Sequence, residues 1–571
     1  MKPLDYAVLI ATMIGIAAYG VWRTRGKGTL HGYLSGRRDV GWGTIGLSVM
    51  ATQASAITFL STPGQGFESG MGFVQNYFGL PFALIVVAAI FLPIYRRSGV
   101  YTAYEYLGRR FDGKTRLLGA GLFLLQRGFA SGITIYAPSI VLSTVLGWPL
   151  DLTILGTGLV AIAYTVAGGN DAVNITQKYQ ISVIFIGMIS AFAVLLFKLP
   201  PDVSVREAFA IASGFDKLNA VNFSFDVNER YTLWSGIFGG IFLSLSYFGT
   251  DQSQVQRYLS GTSVRESRLG LMFNAVLKIP MQTFILLLGV MLFVFYQFAP
   301  APVFFDRTTW RQQASAPGGE SLVAFEKEYE LRATEKSEAL RAWLRVRSTG
   351  SSEEIAAAKA SVAAAHAASQ AVRTNAKAAL LANDPTVKMK DSDYVFITFI
   401  LEQLPVGLVG LLIAVIFAAA LSSVSAEMSA LGTTTSVDFY RHLIHRSGNE
   451  DRAVLVSKIA TALWGTVAIS FALFANVVEN LIEAVNILGS IFYGVILGLF
   501  LVAFFLKWIR GNAVFWGALV AQTVVLVCFF TLTIGYLWYN LIGCASCVLA
   551  SMLLQLAFRS PGSQSPELRA A

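Results

Sequence analysis

The chain has 571 residues, of which 55% are hydrophobic and only 13% charged, with a net charge of +9. A water-soluble surface needs about a quarter charged residues, so this composition excludes a string of soluble domains and points to a chain solvated by lipid. The basic residues sit in short segments between apolar runs and form no stripe, which excludes nucleic acid as a partner.

In chain order, the apolar stretch 6–22 precedes Arg23, Arg25 and Lys27. A cleaved signal peptide shows the opposite order, so the stretch reads as a retained first membrane helix. Runs long enough to cross a bilayer occur at 5–22, 42–66, 71–95, 116–146, 150–168, 178–198, 231–256, 268–299, 405–434, 452–476, 480–507, 511–534 and 537–558, about 13 in all. The connections 23–41, 96–116, 257–268 and 438–452 are basic and alternate with neutral or acidic ones. The positive-inside rule then places the N-terminus outside and the C-terminus in the cytoplasm, in a plasma (inner) membrane. The chain divides into membrane parts 1–303 and 393–558, an insert 304–392, and a cytoplasmic tail 559–571.

The insert is rich in charge and alanine. Ser351 and Glu354 form a capping box before a helical run, so an external helical hairpin is expected. It reads either as a solvated spacer or coiled-coil-like protrusion, which charge-rich helices usually are, or as a binding domain. Cys528, Cys544 and Cys547 lie in apolar runs and suggest neither a disulfide framework nor a metal site.

Polar clusters at mid-span mark pathways, because burying them in lipid is costly. The span 42–66 holds Thr52, Gln53, Ser55 and Thr58, and five spans later 231–256 holds Ser244, Ser246, Tyr247 and Thr250. Interrupted segments at matching places in successive five-helix sets indicate an inverted-repeat transporter. The plainer alternative is Ser and Thr bonding back to their own helices. In 405–434, the carbonyl of Ala419 points toward Ser422 and Ser423, three and four residues ahead. One backbone oxygen and two hydroxyls thus converge, a donor set that suits a small hard cation. Close packing by small residues explains the same stretch equally well.

Taken together, several stretches resemble the sodium–solute symporter family. These are Gly36-Arg37-Arg38, Thr102 to Leu107 with Arg110-Phe111, Tyr164 to Gly169, Tyr247 to Gln252 through Gln256-Arg257, and Ala418 to Ser423. The resemblance covers roughly 33–508 and implies an all-α membrane protein with the five-plus-five inverted-repeat transporter fold. It implies a sodium site made by the carbonyls of Ala51, Ala54 and Ala419 and the hydroxyls of Ser422 and Ser423, with Na+ as the coupling ion. It also makes Tyr247 an inner gate beneath the substrate. Gln177 stands where many members carry the aspartate of a second sodium site, which implies one sodium per cycle. Carried over from the sugar-transporting branch, the cavity positions are Gln53, Thr58, Gln75 or Asn76, Ser244 and Lys278, with Val485 in place of a sugar-contacting glutamine. The mapped positions hold no carboxylate, which argues against a cationic solute. The reading is a transporter rather than an enzyme: a sodium symporter importing a small neutral or anionic organic solute by alternating access. A non-transporting receptor on the same fold is the alternative.

Overall fold

A computed structural model describes residues 1–24, 41–444, 450–474 and 480–558; the Gly36-Arg37-Arg38 stretch and the tail 559–571 lie outside the described residues. Every element within them is helical. The first third contains α1 (Pro3–Thr24), α2 (Trp42–Gln53), α3 (Ala56–Ser69), a 3₁₀ segment (Gly70–Tyr77), α4 (Leu80–Val86), α5 (Leu92–Ser98), α6 (Ala103–Arg110), α7 (Gly113–Leu146) and α8 (Leu150–Phe197). Then come α9 (Val205–Gly214), α10 (Gly240–Thr250), α11 (Gln252–Leu259) and α12 (Val264–Phe295). The insert provides α13 (Arg307–Ala314), α14 (Glu320–Thr349) and α15 (Ser352–Asn383). The chain returns through α16 (Val395–Gln403), α17 (Leu408–Thr434), α18 (Glu450–Phe474), α19 (Leu481–Phe505), α20 (Gly511–Thr531) and α21 (Leu537–Ala557). Among the described residues, nine helices are long and apolar enough to cross a membrane.

Side-chain caps fix where several helices start. Thr102 accepts a hydrogen bond from the Glu105 N–H, Asp112 from Thr115 and Ser263 from Glu266. One expected boundary is missing. The spans 150–168 and 178–198 form the single 48-residue helix α8. The double glycine Gly168-Gly169 leaves every backbone donor in place, and only a proline removes one.

Two interruptions matter for function. Between α2 and α3, Ala54 (ψ 72°) leaves the helical region and Ser55 is extended. Between α10 and α11, Asp251 is extended (ψ 119°) and its carboxylate accepts from the Ser253 N–H. Helix α1 docks on α17: Asp5 Oδ1 accepts from the N–H groups of Gly407 at 2.6 Å and Gly410 at 3.3 Å. A Cβ at Gly410 would lie 2.1 Å from the Asp5 carbonyl oxygen, so only glycine permits this approach.

The insert folds as the expected hairpin, with the Ser351–Glu354 capping box formed. It is not a solvated spacer. Leu340, Trp343, Leu344 and Val362 join the same buried cluster as the membrane helices, and Asp391 holds Arg373 and Lys377 at 2.8 and 2.6 Å. The reason lies in its pattern: Leu322, Tyr329, Leu340, Trp343 and Leu344 share one face of α14, and that apolar stripe must be covered.

Candidate functional site

Where α2 unwinds, its carbonyls lose their helical donors. The Ala51 carbonyl faces α17, where Ser423 Oγ lies 3.4 Å away, a long and weak contact. Ser422 Oγ is buried and has no hydrogen-bond partner among the described residues. Ala419 stands one turn earlier on α17, and Ala54 is fully buried in the break. The structure thus brings Ala51 and Ser423 together and leaves Ser422 with unused lone pairs beside freed backbone, a donor set that fits a small hard cation. Gln177 joins this region from α8. Its Oε1 accepts from Ser48 Oγ at 2.5 Å, and its Nε2 donates to Thr52 Oγ1 at 3.2 Å. The amide therefore clamps the turns of α2 that precede the break.

Beside the break lies a central cavity of about 770 Å³. Gln53, Thr58, Asn76, Ser244 and Tyr247 line it, as does Val485. Gln53 Oε1 is buried without a partner, so the cavity offers at least one unused acceptor. Tyr247 takes a hydrogen bond from Gln254 Nε2 at 2.6 Å, and its ring lies 5.5 Å from the Arg127 guanidinium.

Two mapped positions do not line the cavity. Gln75 turns away from it: Nε2 donates to the carbonyls of Tyr231 and Gly72, and Oε1 accepts from the Asn222 N–H. Its amide staples a loop, and Asn76 takes the cavity place. Lys278 is buried on α12 behind Tyr77, with Nζ 5.3 Å from the centre of that ring. Tyr77 stands between it and the cavity it lines.

The sequence reading missed a charged cluster at the edge of the cavity. Arg127 Nη1 donates to Glu427 Oε1 at 3.0 Å and Nη2 to the Tyr493 hydroxyl at 2.6 Å; Nη2 also pairs with Asp251. Tyr493 in turn donates to Asp251 Oδ2 at 3.0 Å. Glu427 is a cavity-lining carboxylate outside the mapped positions, which themselves hold none, so the argument against a cationic solute from those positions does not cover the whole lining. Glu427 shares Arg127 with Asp251, so one guanidinium serves two carboxylates and the cluster keeps one net negative charge. A signal existed: Arg127 is the sole charged residue between Leu117 and Leu146, and a lone arginine at mid-span requires carboxylate partners.

Comparison with known proteins gives consistent results. The model of the sodium:solute symporter family matches residues 33–314 and 366–521. The chain is similar to the human sodium/iodide cotransporter, at 30% identity over 51% of this chain and 45% of that protein. It is 33% identical to human sodium-coupled monocarboxylate transporter 1 over 48% of this chain and 45% of that protein. A sodium-dependent multivitamin transporter from Oryctolagus cuniculus is 26% identical, over 88% of this chain and 66% of that protein. The chain thus spans about half the length of the first two relatives. Among solved structures, a Na+-coupled sialic acid symporter superposes with a TM-score of 0.74 at 23% identity, covering 99% of this chain and 100% of the other. That likeness shows the five-plus-five inverted-repeat fold.

Proposed function

The chain belongs to the sodium:solute symporter family, and from that premise we infer that it is a sodium-coupled symporter carrying a small neutral or anionic solute by alternating access. The observation that carries this reading is the pairing of a broken α2–α3 helix with the unpartnered Ser422 hydroxyl and the loose Ser423–Ala51 contact. The sodium ligands are the carbonyls of Ala51, Ala54 and Ala419 and the hydroxyls of Ser422 and Ser423. An ion there ties α17 to the break and favours one conformation over the other. Coupling needs that bias, since a ligand with equal affinity for both states shifts nothing.

The charges support a neutral cargo. Arg127 is shared by Glu427 and Asp251, and a bound sodium offsets the one negative charge left over. Gln53, Thr58, Asn76 and Ser244 supply polar contacts and Tyr247 closes the inner side. Two relatives carry names that specify anions, iodide and monocarboxylates. The bilayer is the host, with the hairpin on the outside and both basic connections and C-terminus in the cytoplasm.

One sodium entering down 100 mV releases about 2.3 kcal/mol, and a tenfold gradient adds about 1.4 kcal/mol. A neutral solute is then concentrated roughly a few-hundred-fold, whereas a monovalent anion moves electroneutrally and gains only about tenfold. Uptake of labelled iodide and short monocarboxylates into proteoliposomes tests this. The expected result is uptake that requires an inward sodium gradient, with anion accumulation insensitive to membrane potential. Sodium-independent uptake overturns the coupling, and binding without counterflow makes the protein a receptor.

A further inference from the structure

At the hairpin end of the bundle lies a second cavity of about 930 Å³, bounded by α14 and α15 on one side and by α3 and α12 on the other. It is distinct from the central cavity, which α3 reaches at Thr58; Phe67 and Glu68, nine and ten residues further along that helix, line the second one. The intervening rise is about 14 Å.

The second cavity is strongly cationic. Lys217, Lys336, Arg373 and Lys377 line it against Glu68 and Asp391. Both carboxylates are already committed: Asp391 is shared by Arg373 and Lys377, and Glu68 pairs with Lys390 at 3.1 Å. Lys217 donates to the Glu68 carbonyl and lies over the Phe293 ring, and it has no ion pair within salt-bridge distance among the described residues. Lys336 is 3% exposed and has no ion-pair partner among the described residues. It occupies the buried face of α14 between Tyr329 and Leu340, a position where packing alone would favour an apolar side chain. A charge placed there is strongly destabilising unless something offsets it.

The lining also contains hydrogen-bonding groups with nothing to bond. The hydroxyls of Tyr296 and Ser392 are buried and unpartnered, as is His366 Nδ1. Burial lowers the Lys336 pKa to about 8, with Arg373 adding to the effect. Burial, Lys336 and Lys217 push His366 down to about 4, so its neutral ring registers the surrounding positive field. The rings of Phe67, Phe293 and Tyr329 supply an apolar wall, and the volume far exceeds what a halide fills.

We propose that this cavity is a binding site for a small organic carboxylate, held by Lys336 and Lys217 with hydroxyl contacts from Tyr296 and Ser392, its apolar body against Phe67 and Phe293. The carboxylate oxygens supply the acceptors that Lys336 lacks, and the site stands outside the sodium-dependent one. Two of its walls, Tyr329 and Lys336, come from the segment 315–365 that the family model does not match, so the site is a feature of this chain's insert. The proposal that the ligand is of the cargo's own class, captured before entry, rests on the anionic-solute reading above.

The test is calorimetric titration of the full-length protein in phosphatidylcholine nanodiscs with potassium propionate, benzoate and chloride, with and without sodium. The expected result is a sodium-independent equivalent of propionate or benzoate, weakened at least tenfold by Lys336→Met and by Lys217→Met. The two variants lie on different elements, so misfolding of one leaves the other informative. The sodium-dependent equivalent should change little in either; the melting temperature should hold in Lys217→Met and hold or rise in Lys336→Met, which removes an unpaired buried charge. Lack of sodium-independent binding by both carboxylates, binding of chloride alone, or affinity unchanged in both variants overturns the proposal. Loss of only the sodium-dependent equivalent in the wild type overturns the symporter reading instead and leaves this site standing.

Discussion

The two helix breaks are built from opposite materials. At Ala54–Ser55 the partners are backbone oxygens and hydroxyls, the hydrogen-bond contact to α17 is a 3.4 Å Ser423–Ala51 approach, and Ser422 Oγ has no partner among the described residues. At Asp251 the break is held by a buried ion-pair cluster with a guanidinium, two carboxylates and a phenol in direct contact. Charge-assisted bonds are roughly twice as strong as neutral ones. The first break is therefore left with unused oxygens, while the second is complete in itself. An alternating-access machine needs one ligand-dependent joint, and the sodium site proposed above puts it at the first break.

Removing the guanidinium breaks this contrast most severely. Arg127→Met leaves Asp251 and Glu427 buried without their cation, and stripping one partner from a buried pair costs about 3–5 kcal/mol. The expected outcome is a large loss of melting temperature with little folded protein recovered, read by size-exclusion and thermal unfolding of the detergent-solubilised chain. Normal folding would show that the cluster contributes little to holding the second break. Tyr493→Phe is the milder form. It deletes the hydroxyl that bonds both Asp251 and Arg127, for an expected loss of about 1–2 kcal/mol, with sodium half-saturation unchanged.

Ser423→Ala sharpens the comparison from the other side. Its hydroxyl makes one long contact, so stability should change by less than about 0.5 kcal/mol. Sodium half-saturation in uptake should rise about tenfold, equivalent to about 1.4 kcal/mol of binding energy. Unaltered sodium dependence removes Ser423 from the ligand set.

The readable and unreadable parts of the chain divide along the same line. Both breaks were visible as polar clusters within apolar spans, and Ala419, Ser422 and Ser423 were grouped by helical spacing alone, because each signal is local. Residues whose roles depend on distant partners were not readable. Arg127 meets Asp251 and Glu427 across 124 and 300 residues of sequence. Gln75 and Asn76 are neighbours on a 3₁₀ segment, where successive side chains diverge by about 120°, so only the fold shows which one enters the cavity. Lys336 lies in a charge-rich run, and only the folded stripe of Leu322, Tyr329 and Leu340 shows that it is buried. The expected division of 150–198 into two spans failed because a double glycine permits helix breaking without compelling it.

Gln177 is the smallest and most specific test. Its amide bonds Ser48 and Thr52, so it serves the first break as a neutral clamp, using both its acceptor and its donor. A second sodium near these groups would need a full negative charge to offset its own in a low-dielectric site. The wild type should therefore show a sodium Hill coefficient of about one. Gln177→Asp removes the donor to Thr52 and introduces a buried carboxylate whose least costly partner is a cation. The coefficient should then rise to between about one and two, with the melting temperature restored by added sodium but not by potassium. A wild-type coefficient of two would mean that carbonyls and hydroxyls hold the second ion without a carboxylate. The ion-dependent joint would then be larger than the Ala51–Ser423 contact suggests.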